Sequence, residues 1–290
     1  MKLVHADEVT PRPVAGLRGG EVALQRLLQG AADSSDNYEL GLARHAAPLR
    51  TPRRRHNFEQ FTMVLDGEFG WATRRRMKPG QVGYFPEGTP YGPQSVTDCL
   101  ALTLRCGGPS GQGLLSHDQV ERSLAELRKL GTFEDGAFRR AASADAPAAR
   151  KPQDGDEAIW EHVRGRKPVY PPRRYEEPVI VTPDAIAWEP TAREGIERKL
   201  LGAFDHGARA ELFRLELGAD LPIEAPNAIQ LLFVLEGAGR VEGRVYRRRS
   251  AIEVPRGERV TVSADAPSEI LRLGVAAIRP RAFALIERAA

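Results

Sequence analysis

Gln60-Phe61-Thr62-Met63-Val64-Leu65-Asp66-Gly67 returns later in the chain as Gln230-Leu231-Leu232-Phe233-Val234-Leu235-Glu236-Gly237. Each copy is an apolar run that ends on an acidic residue and a glycine. That is the pattern of a strand entering a tight turn, where glycine tolerates the positive φ that other residues resist. Working outward, Phe85-Pro86-Glu87-Gly88 follows the first copy at almost the same distance as Val254-Pro255-Arg256-Gly257 follows the second. One strand-turn-strand plan has therefore been used twice. In the first copy the intervening turn is marked by Lys78-Pro79-Gly80, a proline-first type II signature. Further short apolar segments at Tyr38 to Ala43, Gly83 to Phe85 and Cys99 to Leu104 fit an all-β sandwich or barrel.

At 290 residues the chain has room for two cores. Its 42 Lys and Arg nearly balance 39 Asp and Glu, leaving a formal +3. The cationic excess gathers at Arg53-Arg54-Arg55, Arg74-Arg75-Arg76 and Arg247-Arg248-Arg249, with few aromatics interleaved and no nucleic-acid module nearby. These runs read as solvated faces, or as a mouth that attracts an anionic small molecule. Nucleic acid and membrane are not expected partners. Only Cys99 and Cys106 are present, too few for a disulfide framework, and no signal-like or membrane-length apolar run occurs. The expectation is a cytoplasmic protein.

The second pattern, Gly80-x5-Pro86-x-Gly88-x2-Tyr91, resembles the second motif of the cupin superfamily, G-x5-P-x-G-x2-H-x3-N, with Tyr91 where the family usually has His. In the first motif, G-x5-H-x-H-x3,4-E-x6-G, Gln60 falls on the Glu position, His56 on the second His and Arg54 on the first. In the second half Glu224, Pro226, Gln230 and Val260 take the four corresponding positions. The resemblance implies a bicupin, two tandem double-stranded β-helix (jelly-roll) barrels joined by a partly helical linker. The expected organisation is an N-terminal arm over 1–35, a first and working barrel over 36–110, a helical and flexible linker over 111–177, and a degenerate structural barrel over 178–290. In the arm, Leu24, Leu27 and Leu28 recur at helical spacing and predict a short helix from Glu21 to Leu28. In the linker, strand signals stop between Gly107 and Pro178. Ser116 with Gln119 reads as a capping box opening a helix to about Leu130, Ala141 to Asp156 as a linker, and Glu157 to Val163 as a second helix.

Strand alternation sends Arg54, His56, Phe58, Gln60 and Thr62 to one face, which the resemblance turns into the barrel interior. Two chemistries are open. In the first, His56 and Tyr91 act as acid and base, Gln60 orients the substrate, and Arg54, Phe58 and Thr62 bind a small anionic molecule. That fits an isomerase, lyase or cyclase without a cofactor. In the second, His56, Gln60 and Tyr91 hold a divalent transition metal (Fe, Mn, Ni, Cu or Zn) in a cupin dioxygenase, although a neutral amide and a phenol are weaker donors than imidazole and carboxylate. A non-catalytic binding or sensor protein is the third reading, and a plain buried hydrogen-bond cluster the bland one. Barrel edges and the degenerate second half point to a homodimer.

Overall fold

The structure is a computed structural model, which describes residues 1–14, 22–46, 49–111, 113–142, 151–204 and 207–275. Two β-rich halves follow one another, each laid out in the same element order. Lys2–His5, a 3-10 turn at Ala6–Glu8, Arg12–Pro13, Val22–Gln29 and Tyr38–His45 in the first half are answered by Val179–Val181, Pro183–Ala185, Glu189–Pro190, Ile196–Ala203 and Arg209–Leu215 in the second. The leading strands are exchanged. Lys2–His5 pairs antiparallel with Ser250–Val254 of the second half, and Val179–Val181 pairs with Val82–Phe85 of the first. The exchange ties each half to the other by backbone hydrogen bonds.

The long strand Phe58–Ala72 lies between Val82–Phe85 and Gln94–Gly107, and Tyr38–His45 continues that sheet on the far side of Gln94–Gly107. Its odd residues Phe61 and Met63 join Leu40, Leu102 and Leu104 on one face. There they share a single buried core with Leu212, Leu231, Phe233 and Leu271 of the second half. Even residues face the other way, into the first barrel, as the pleat requires. Burying large side chains of this kind stabilises by about 1.5–3 kcal/mol each, so the seam between the halves is a major stabilising element.

Two elements differ from the sequence expectation. The segment read as a helix from Glu21 to Leu28 is a strand, Val22–Gln29, with Glu21 itself outside the described residues. It pairs with Tyr38–His45 through a bulge between Arg26 and Leu28, so both Leu27 and Leu28 reach buried positions without helical spacing. Tertiary pairing overrides the local period. The second difference is a three-stranded sheet in 111–177, built from Gly131–Glu134, Ala137–Arg140 and Gln153–Asp154. Its hairpin turns on Asp135 and Gly136, both at positive φ, the Asp-Gly signal of a two-residue turn. With helices α1 (His117–Leu130, closed by the Ser116/Gln119 capping box) and α2 (Gly155–Arg164), this sheet encloses a small core of its own around Leu124, Leu127, Phe138 and Trp160. Residues 143–150 of the expected linker and 276–290 at the C-terminus lie outside the described residues.

Candidate active site

Arg54, His56 and Tyr91 come together. Arg54 and Tyr91 form a backbone bridge (N to O 2.9 and 2.8 Å), and Gly88 of the Pro-x-Gly turn donates its amide to the His56 carbonyl at 2.8 Å. The motif thus places Tyr91 beside the incoming strand. Arg54 Nε donates to the Tyr91 hydroxyl at 2.9 Å, and that hydroxyl is 2.5 Å from His56 Nε2. A guanidinium can only donate, so the phenol oxygen accepts from Arg54, while the direction of its bond with His56 is set by the imidazole tautomer. Phe58 stacks on the imidazole at 4.2 Å between centroids, and Phe85 packs edge-on to Tyr91. Rings on both sides therefore fix the His56 and Tyr91 planes.

Gln60 and Thr62 do not join this chain. Gln60 Nε2 donates to Thr62 Oγ1 at 3.0 Å, forming a separate polar pair on the same face. The oxygen that Arg54 Nη2 reaches belongs instead to Gln94, at 2.7 Å, and Gln94 also accepts from Thr51 at 3.1 Å. Sequence spacing gives no hint of Gln94, which is delivered by a different strand.

These groups border two adjoining spaces. A chamber of about 270 Å³ is walled by Val22, Leu24, Ala43, His45, Phe69 and Thr103 of the first barrel. A vestibule of about 140 Å³ is lined by His56, Phe58, Arg55, Ile159, Trp160 and Tyr170. Arg54, Gln60, Arg105, Val120 and Asp156 line both and form the neck between them. The helical segment helps to wall the vestibule: α2 supplies Asp156 and Trp160, while the Tyr170 ring carries the Arg55 guanidinium 4.1 Å from its centroid.

Charge at the neck is largely matched. Glu39, 7% exposed, pairs with Arg105 and accepts the His117 amide at 2.7 Å, at the start of α1. Burial, with Arg105 and Arg26 nearby, holds the His117 imidazole well below its ordinary pKa, so it is neutral. His45, deep in the chamber wall, is pushed down to about 4 by burial and is likewise neutral at neutral pH. Across the sheet, Glu59 is fully buried against Arg174, and burial raises its pKa to about 7. It faces away from the chamber, as alternation from Gln60 predicts.

The residues at the four motif positions do not fit a resident metal ion. One imidazole is present, its Nε2 already engaged by a phenol that also accepts from a guanidinium. A cation at that oxygen would sit against Arg54. No group of three or more His, Cys, Asp and Glu suited to a metal occurs among the described residues.

In the second half the equivalent space is filled. By strand register Gly41 pairs with Thr103 and Ala43 with Ala101; the equivalent pairs are Glu211 with Arg272 and Phe213 with Ile270. Thr62 is likewise replaced by Leu232. Small residues in the first barrel thus leave a space that larger ones fill in the second. There Glu211, fully buried, is held by Arg198, Arg209 and Arg272, above an apolar interior that includes Val260 at the Tyr91 position. The Gln230 side chain bonds locally, to the Ala228 carbonyl at 3.2 Å, and Glu224 pairs with Arg259 at the surface.

A tandem pair of cupin barrels is what this fold and these repeated motifs define: the chain has the bicupin architecture. No protein-family model matches it, and no curated protein matches it. Solved structures share the fold at low identity. Streptomyces albus HEPD, with 2-hydroxyethylphosphonate and Fe(II) bound, aligns at 15% identity over 98% of this chain and 78% of its own, with a TM-score of 0.57. Bacillus subtilis oxalate decarboxylase, studied for its Mn(II) centres, aligns at 12% over 96% and 78%, TM-score 0.55. A Nostoc punctiforme protein provisionally named a dioxygenase aligns at 9% over 96% and 84%, TM-score 0.59. Identities this low carry the fold and no activity. No helix among the described residues is long and apolar enough to cross a membrane.

Proposed function

We propose that the protein is a small-molecule enzyme whose first barrel performs acid/base chemistry of the isomerase, lyase or cyclase type on an anionic organic substrate. The observation that carries this reading is the Arg54–Tyr91–His56 chain, set at the neck of the chamber and without a counterpart in the second barrel. Solved proteins of this architecture include enzymes acting on small molecules, which supports catalysis in general.

In this reading His56 exchanges a proton with substrate held at the neck, where the vestibule that His56 lines meets the chamber. Tyr91 does not line either space, so it acts through His56: as the imidazole gives up a proton, the phenol resupplies Nε2, and the resulting phenolate is balanced by Arg54. Run backwards, the same relay accepts a proton. Arg54 Nη1 remains directed at the neck and Gln60 offers an amide for orientation. The second barrel, with its filled interior, supports the first through the shared core and the exchanged strands.

The test is a screen of small carboxylates for protein-dependent conversion, repeated with His56→Ala. Conversion lost in the variant, with an unchanged fold by circular dichroism, supports the reading. Conversion retained would refute it.

A further inference from the structure

We propose that the chamber of the first barrel binds a monocarboxylate with an apolar body, and that the ligand carboxylate takes the place of Asp156 on Arg54. This rests on the reading of the first barrel as a site for an anionic molecule and names the class of that molecule. Two nitrogens of the Arg54 guanidinium are committed inside the protein, Nε to Tyr91 and Nη2 to Gln94. The third, Nη1, faces the Asp156 carboxylate at 3.7 Å, beyond hydrogen-bonding range, and the Asp156 side chain is 50% exposed. An ion pair of that length with a half-exposed partner is weak. A carboxylate arriving at the neck can make a closer, charge-assisted contact with the same nitrogen.

The rest of the space defines the body. Val22, Leu24, Ala43 and Phe69 give the chamber an apolar wall, with Gln60 and Thr103 as its polar groups near the neck. Of the other cations lining the chamber, Arg105 is matched by buried Glu39 and Arg26 by Asp118 and Glu121, and His45 and His117 are neutral, so one positive charge is open to exchange. One charge calls for one carboxylate. The equivalent space in the second barrel is occupied by Glu211, Phe213, Leu232 and Arg272, with a carboxylate of the protein's own among arginines. In the first barrel the Glu211 position is Gly41, and the carboxylate that faces Arg54 is instead Asp156, half exposed at the start of α2, which leaves the chamber open.

Isothermal titration calorimetry on the full chain tests this with 3-phenylpropanoate. Its alcohol and ammonium analogues control for charge, and acetate controls for the body. The carboxylate is expected to bind at least about tenfold more tightly than any of the three. Ala43→Phe, which copies Phe213 into the chamber, is expected to weaken it by about tenfold or more, and Asp156→Asn to tighten it by roughly three- to tenfold. Equal binding of alcohol and carboxylate, unchanged affinity in Ala43→Phe, or no gain in Asp156→Asn would each overturn the proposal. If thermal melting shows Ala43→Phe to be unfolded, Ala43→Leu takes its place with the same expectation. Because binding is read without turnover, ligand that binds as expected but is never converted counts against the acid/base reading and leaves this inference standing.

Discussion

The hydroxyl of Tyr91 lies 2.5 Å from Nε2 of His56, and its oxygen also accepts from Arg54 at 2.9 Å. Removing that one oxygen leaves both neighbours in place and cuts the link between them. Tyr91→Phe is therefore expected to lower turnover by about 10²–10⁴-fold, the range of general acid/base contributions. It should cost about 1–3 kcal/mol in stability from the unpaired groups left behind. Its pH–rate profile should also change shape, because the hydroxyl behind His56 is gone. A variant that turns over at the wild-type rate with the wild-type profile would remove Tyr91 from the mechanism.

Glu211 holds the second barrel's filled mouth together, being fully buried among Arg198, Arg209 and Arg272. Glu211→Leu strands three cations, of which the Arg272 side chain is only 20% exposed. Loss of a buried partner of this kind costs about 3–5 kcal/mol. Chemical denaturation should show that loss, while turnover per folded molecule stays at the wild-type level. A fall in turnover of folded protein would place function in the second barrel.

His45 gives a signature in pH. Its folded pKa, held by burial at about 4, lies below the ordinary 6.5. The unfolded chain therefore takes up a proton first as pH falls, and the stability linked to the neutral imidazole is complete above about 6.5 and lost towards 4. His45→Gln should flatten the denaturation midpoint across that window, by roughly 3 kcal/mol at most. Parallel wild-type and variant curves would show that the imidazole does not titrate as its burial demands.

Chelation separates the two chemistries that the motif positions leave open. With an arginine, one histidine, a glutamine and a tyrosine at those positions, turnover is expected to survive dialysis against a strong chelator. Turnover abolished by chelation and restored by Mn(II) or Fe(II) would contradict the proton relay and favour a metal enzyme.

Much of this architecture is legible before any coordinates. The Gln60–Gly67 and Gln230–Gly237 repeat already carries two barrels, and the two motifs single out Arg54, His56 and Tyr91 through their resemblance to the cupin pattern, although 35 residues separate His56 from Tyr91. His45, Gln94 and Arg105 are not singled out in this way, since each reaches the chamber through strand pairing across tens of residues. The equivalence of Gly41 with Glu211 needs the repeat extended upstream into Tyr38–His45 and Arg209–Leu215, where no shared motif marks the register. The Asp135-Gly136 hairpin was readable from its dipeptide, but only against the Ala- and Pro-rich sequence that follows it.

Proton exchange at bound carboxylates tests the central claim most directly. Wild-type protein and His56→Ala are each incubated in D2O with a panel of small carboxylates, and deuterium incorporation or conversion is followed by NMR. Protein-dependent exchange or conversion is expected in the wild type and none above background in His56→Ala at equal folded concentration. Equal exchange in the two proteins, or none in the wild type across the panel, would contradict that claim.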